Sequence, residues 1–194
     1  MPERTPSQTV GPFLHLGLAP ADYNFRPLFA PVLAEPDLAG MHIRIEGRIR
    51  DGDGNGLPDA LVEIWQADAQ GRYAHPADGR TLSSNSFRGF GRAPTGPAGE
   101  FFFATVKPGS VPGPRGRPQA PHVNVGIFAR GLLKRLFTRI YFAGEAMNAS
   151  DPILALVPPA RRHTLLATPI PTRAGVFRFD IRLQGEDETV FFDA

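Results

Sequence analysis

The chain has no cysteine, so it can form neither disulfides nor thiolate metal sites. It has no apolar run long enough to cross a membrane as a helix, and its first residues, "MPERTPSQTV", lack the apolar stretch of a secretion signal. A cytoplasmic protein without a membrane partner is the expectation. Clustered basic charge is also missing. The formal net charge is +2, and the basic residues, nearly all arginine, gather only at Lys134–Arg135 and Arg161–Arg162. A nucleic-acid footprint normally needs more, so no nucleic-acid partner is expected. No internal repeat and no second core are visible. What is present is 194 residues, 42% apolar and 21% charged, enough for one domain with a sizeable core. The 21 glycines and 21 prolines are spread along the chain, as in a protein with many turns between short strands.

Residues 1–40 are irregular, with prolines at 20, 27, 31 and 36, and read as a long arm that needs a surface to lie against. From Met41 the pattern changes. "HIRIEGRIR" alternates apolar and polar residues, the mark of a half-buried strand. "ALVEIWQAD", "GEFFFATVKPG", "APHVNVGIFA", "RLFTRIYF" and "GVFRFDIRLQG" follow as further strands, the last with Phe177, Phe179, Ile181 and Leu183 inward. "SDPILALV" is expected to be one short helix, capped by Ser150 or Asp151 with Pro152 in its first turn. The expected fold is all-β: a β-sandwich of about seven or eight short, mostly antiparallel strands over 41–194, with a long irregular N-terminal arm and loops.

Two stretches carry possible chemistry. "DGDGNG" places Asp51, Asp53, Asn55 and Gly56 at calcium-loop positions one, three, five and six. Position twelve is Val62 rather than a bidentate glutamate, and Glu63 comes one residue late, so a plain β-turn is the better reading. "APHVNVGIFARG" turns Val123, Val125 and Ile127 to one face of a strand and His122, Asn124, Gly126 and Phe128 to the other. Two imidazoles at such a spacing could share a metal, but the second position is asparagine. Read alone, His122 is better explained by packing and a backbone hydrogen bond. None of the other histidines has metal-ligand spacing, and Tyr73, in "GRYAH", is the one tyrosine in a turn rich in polar groups. The residues by themselves point to a β-sandwich and no further.

The ordered set "VEIWQADAQGRYAH", "FFFATVKPGS", "APHVNVGIF", "TRIYFAGE" and "FRFDIRLQGEDETVFF" resembles the intradiol ring-cleaving dioxygenases over most of the chain. With "TPSQTVGPF" near the start, it looks like the α-type chain of the family's two-chain enzymes. The resemblance implies a ferric site built in catalytic chains from two tyrosines and two histidines. Here the matching positions are Tyr73, Val111, His122 and Asn124. An arginine three residues before the first histidine is matched by Gln119. Valine cannot coordinate, and asparagine replaces imidazole poorly. By resemblance this is a lapsed iron site, with no metal bound by this chain and no catalytic residue of its own.

The implied function is that of a partner subunit. A homologous β chain would hold Fe³⁺, and the pair would convert protocatechuate and O₂ to 3-carboxy-cis,cis-muconate. This chain would lend the arm, including Thr9, Gly11 and Pro12, and Arg130 of "FARG" to the mouth of the partner's pocket. The arm, 1–40, would pack on that partner. Arginine suits a substrate carboxylate through charge and paired N–H donors, although Arg130 alone reads rather as a solvated loop residue. Two other readings stand beside this one: a self-sufficient dioxygenase using Tyr73, His122 and further ligands, and a non-catalytic β-sandwich binding or assembly module.

Overall fold

The computed structural model describes residues 11, 20, 24–82 and 87–193, and Thr9 and Pro12 of the arm lie outside them. The described residues form nine strands: β1 (His42–Arg50), β2 (Leu61–Gln66), β3 (Phe90–Pro94), β4 (Glu100–Val106), β5 (His122–Phe128), β6 (Leu136–Phe142), β7 (Leu166–Pro169), β8 (Val176–Arg178) and β9 (Ile181–Arg182). Neighbours run in the order β3-β2-β5-β6-β7-β8-β1-β4, with β9 beside β1. The fold is all-β, as expected. Most pairings are antiparallel, while β1 pairs parallel with both β8 and β9, and β6 with β7.

Alternation builds the core. On β1, Ile43, Ile45 and Ile49 point inward, and on β5, Val123, Val125 and Ile127 do the same. They meet Val62, Ile64, Phe101, Phe103, Ile140, Phe142 and Phe177 between the two layers, β3-β2-β5-β6 and β8-β1-β4. Phe179 and Ile181 are buried as the pattern requires. Burying each such side chain stabilises the fold by roughly 1.5–3 kcal/mol. A second cluster, Ala120, Tyr141, Leu154, Val157 and Leu165, lies at one end, with Val190 and Phe192 of the C-terminal segment packed on it.

Two expectations change. The helix expected in "SDPILALV" is instead one short 3-10 turn, Leu154–Leu156, preceded by another at Ala146–Ser150. Asp151 between them is extended, at φ −63° and ψ 122°. The residue before a proline is pushed out of helical backbone, and Pro152 follows. Asp151 does act as a cap, accepting from the N–H groups of Ile153 at 2.9 Å and Leu154 at 2.7 Å. The segment 1–40 is also less uniform than its composition implied. From about Phe29 onward it touches this chain's own sheet. Phe29 meets Phe90 edge-on, Leu33 N–H donates to Ala104 O at 2.8 Å, and Leu38 is buried. "DGDGNG" is a turn: one Asp51 oxygen accepts from the N–H groups of Asp53 at 3.0 Å and Asn55 at 2.8 Å.

Candidate functional site

Four sequence positions converge at the His122 end of β5. Tyr73 is delivered by a tight loop after β2. There the Asp68 carboxylate accepts from the N–H groups of Gln70 and Arg72, both at 2.9 Å. Gly71 takes φ +77°, and a Cβ there would collide with Ser110 O, a conformation and a closeness that only glycine meets easily. The Tyr73 ring then lies 4.6 Å from that of Trp65. Its hydroxyl accepts from Asn124 Nδ2 at 3.3 Å, and the same amide group donates to Trp65 O at 3.2 Å. Val111 is brought in by a bridge to Gln119, whose N–H donates to Val111 O at 2.9 Å. Tyr73, Val111 and Gln119 line one cavity of about 590 Å³ together with Trp65, His75 and Pro112.

His122 is 2% exposed, with Nδ1 at 2.8 Å from Ala120 O. A carbonyl accepts only, so the proton sits on Nδ1 and Nε2 keeps its lone pair. Burial, and next the nearby Arg139 charge, pull this imidazole down to about 4, so it is neutral at ordinary pH. Burial likewise raises the Tyr73 phenol, which stays protonated.

Sequence reasoning missed the groups behind these four. Arg139 lies directly across β6 from Asn124. Its Nη1 donates to Gln119 Oε1 at 2.7 Å and to Tyr141 Oη at 3.3 Å. Tyr141, pushed up to about 12 by burial, donates in turn to Asp151 Oδ1 at 3.2 Å. Asp151, fully buried, accepts from Ala120 N–H at 2.7 Å, and Ala120 O holds His122. The available signal was the period of two, which puts Arg139 and Tyr141 on the His122 face. Asp151 was legible only as a cap, and its link to Ala120, distant in sequence, left no signal.

As a donor set for ferric iron this falls short. It offers one imidazole nitrogen and one neutral phenol. Val111 has no donor atom, the Asn124 amide is engaged by Tyr73 and Trp65, and a guanidinium already supplies positive charge. Among the described residues no three His, Cys, Asp or Glu side chains group as a metal site would need.

Arg130 belongs to the other end of β5, about 25 Å away at roughly 3.3 Å per residue. It takes the first corner of the turn Ala129–Leu132, closed by Leu132 N–H to Ala129 O, with Gly131 at φ +86° in the second. Its side chain is 68% exposed and ion-paired with Asp59. Gly11 is half-buried, and a Cβ there would meet nothing within 4 Å. No helix among the described residues is long and apolar enough to cross a membrane.

The sequence profile of the Dioxygenase family matches residues 31–185. The chain is 46% identical to the protocatechuate 3,4-dioxygenase alpha chain of Burkholderia cepacia, over 98% of each. To the beta chain of the same enzyme and organism it is 32% identical, over 89% of this chain and 84% of that one. Among solved structures, the dioxygenase domain of a dioxygenase and carbohydrate-binding fusion from Streptomyces sp. SirexAA-E superposes with a TM-score of 0.61. That match is 27% identical and covers 94% of this chain and 99% of that one. With the matched family profile and the α-chain relative aligned almost end to end, the chain belongs to the intradiol dioxygenase family.

Proposed function

We propose that the chain is the α subunit of a cytoplasmic protocatechuate 3,4-dioxygenase whose iron is held by a homologous β chain. The observation that carries this reading is the whole-length identity of 46% to an α chain against 32% to the β chain. The donor set at Tyr73, Val111, His122 and Asn124 agrees with it. The intradiol family is iron-dependent, and these side chains cannot supply the anionic oxygens and paired imidazoles that ferric iron takes. The reaction is cleavage of protocatechuate between its two hydroxylated carbons with O₂, giving 3-carboxy-cis,cis-muconate. Iron in the partner supplies Lewis acidity toward the catecholate.

This chain contributes binding. Arg130 meets the substrate carboxylate with its guanidinium, and Thr9, Gly11 and Pro12 help close the mouth of the shared pocket. Of the arm, 1–40, the part ahead of about Phe29 lies on the partner. Supporting that, Phe25 and Leu28 are 70% and 88% exposed in the single chain, an unfavourable state for large apolar groups that a partner surface relieves.

The test is expression alone and together with a β-type chain. Iron, the coloured tyrosinate-to-iron band and protocatechuate turnover accompany only the pair. A coloured isolated chain with stoichiometric iron overturns the reading, as does a β-type chain equally active with and without this one.

A further inference from the structure

We propose that Asp59 is a positioning residue for substrate recognition: it holds the Arg130 guanidinium so that its free edge faces the incoming carboxylate. The inference rests on the reading of Arg130 given above.

The geometry starts from rigidity. Asp59 lies in the bend between β1 and β2, and that bend is clamped from β3's end by Thr95. The Thr95 hydroxyl donates to Leu57 O at 2.7 Å and accepts from Ala60 N–H at 2.9 Å. Thr95 N–H also donates to Ala60 O at 2.9 Å. Thr95 and Ala60 are buried, so the backbone on both sides of Asp59 is held. Arg130 stands on the outer corner of a two-residue turn, on a long side chain with several free torsions. Such a side chain loses rotamer freedom when it must meet a ligand in one orientation.

The ion pair removes part of that freedom beforehand. Asp59 takes the guanidinium through Nη2, while the Arg130 side chain stays 68% exposed, and the Asp59 side chain is 27% exposed. A guanidinium carries five N–H donors in a fixed fork, so one carboxylate on one edge leaves another edge for a second. An exposed pair of this kind contributes little to fold stability. Removing Asp59 should therefore leave the assembly intact and act on orientation.

The experiment uses the assembled enzyme, this chain with its β-type partner. Asp59→Ala is expected to raise KM for protocatechuate about two- to five-fold, the range of one exposed charge contact, with kcat changed less. Asp59→Asn, which keeps an acceptor oxygen of the same shape, should fall between Asp59→Ala and the unsubstituted enzyme. Catechol, which has no carboxylate, should show no matching rise in KM, and thermal unfolding should not move. A fall in KM would mean that Asp59 competes with the substrate, and it overturns the proposal. An equal rise for both substrates overturns it in favour of an interface role. Arg130→Ala separates the two levels. If it raises the protocatechuate KM while Asp59→Ala does nothing, positioning is wrong and the carboxylate reading stands. If Arg130→Ala itself changes nothing, the carboxylate reading fails and the positioning role falls with it.

Discussion

The two ends of β5 are built on opposite principles. At the His122 end a set of polar groups has been drawn inward and paired with one another. Asn124 is bonded to Tyr73 and Trp65, Arg139 to Gln119 and Tyr141, and Asp151 to three backbone N–H groups and Tyr141. At the Arg130 end a charged side chain stands largely in solvent with one carboxylate beside it. A buried, internally satisfied network stabilises the fold and leaves few groups for a ligand. An exposed guanidinium stabilises little and is free to act. On the proposed reading, the end that resembles a metal site is the structural one, and the end with no motif is the one offered to the substrate.

The largest effect that would sharpen this contrast is at Asp151. Asp151→Ala strands two buried N–H donors, those of Ala120 and Leu154, at about 1–3 kcal/mol each, besides the half-buried Ile153 N–H, so the assembled protein should lose at least about 2 kcal/mol of stability. Denaturant unfolding reads it, and a loss below about 1 kcal/mol would break the comparison.

Acid should act at the same end through His122. Its imidazole is held at about 4 against an ordinary 6.5, by burial first and Arg139 second. The folded chain therefore refuses a proton that the unfolded chain accepts. Stability is whole above about pH 6.5 and declines as pH falls toward 4, by an amount on the order of 3 kcal/mol at the acid limit. His122→Gln should flatten that part of the stability profile, and an unchanged slope between the two pH values counts against the assignment.

Arg130→Ala should do the reverse: little change in unfolding, but a loss in kcat/KM for protocatechuate of about five- to hundred-fold, equivalent to about 1–3 kcal/mol, carried mainly by KM. Catechol should lose much less, and equal losses for both substrates would show Arg130 serving the turn or the interface. The smallest effect is expected at the turn near Asp59. Asp51→Ala removes one side-chain acceptor shared by two N–H groups, worth about 1 kcal/mol of stability, and added calcium should rescue none of it.

Much of this was readable along the chain because a strand writes its own periodicity. "HVNVGIF" put Val123, Val125 and Ile127 in the core and His122 and Asn124 on the opposite face before any contact was known. "GRY" signalled a tight turn presenting Tyr73, and "ARG" a turn presenting Arg130, because glycine marks where backbone must go left-handed. "SDPILALV" misled because its apolar spacing suits a helix. Pro152 keeps the backbone of Asp151 extended instead, and the Asp151 carboxylate is recruited to Ala120 from 31 positions away.

What the sequence determined by itself was therefore local or ordered: the alternation that makes an all-β core, the turns, the family likeness, and the absence of donor atoms at Val111. Tertiary structure alone decided which side chains share a space. Arg139 reaches Gln119 across a strand pair, Asp151 ties the 3-10 turns to the start of β5, and Asp59 meets Arg130 across 71 positions of chain. The physical reason is that periodicity fixes which way a side chain faces but not what stands opposite. Partners distant in sequence meet only after the sheets have packed, and their ion pairs and hydrogen bonds leave no periodic trace.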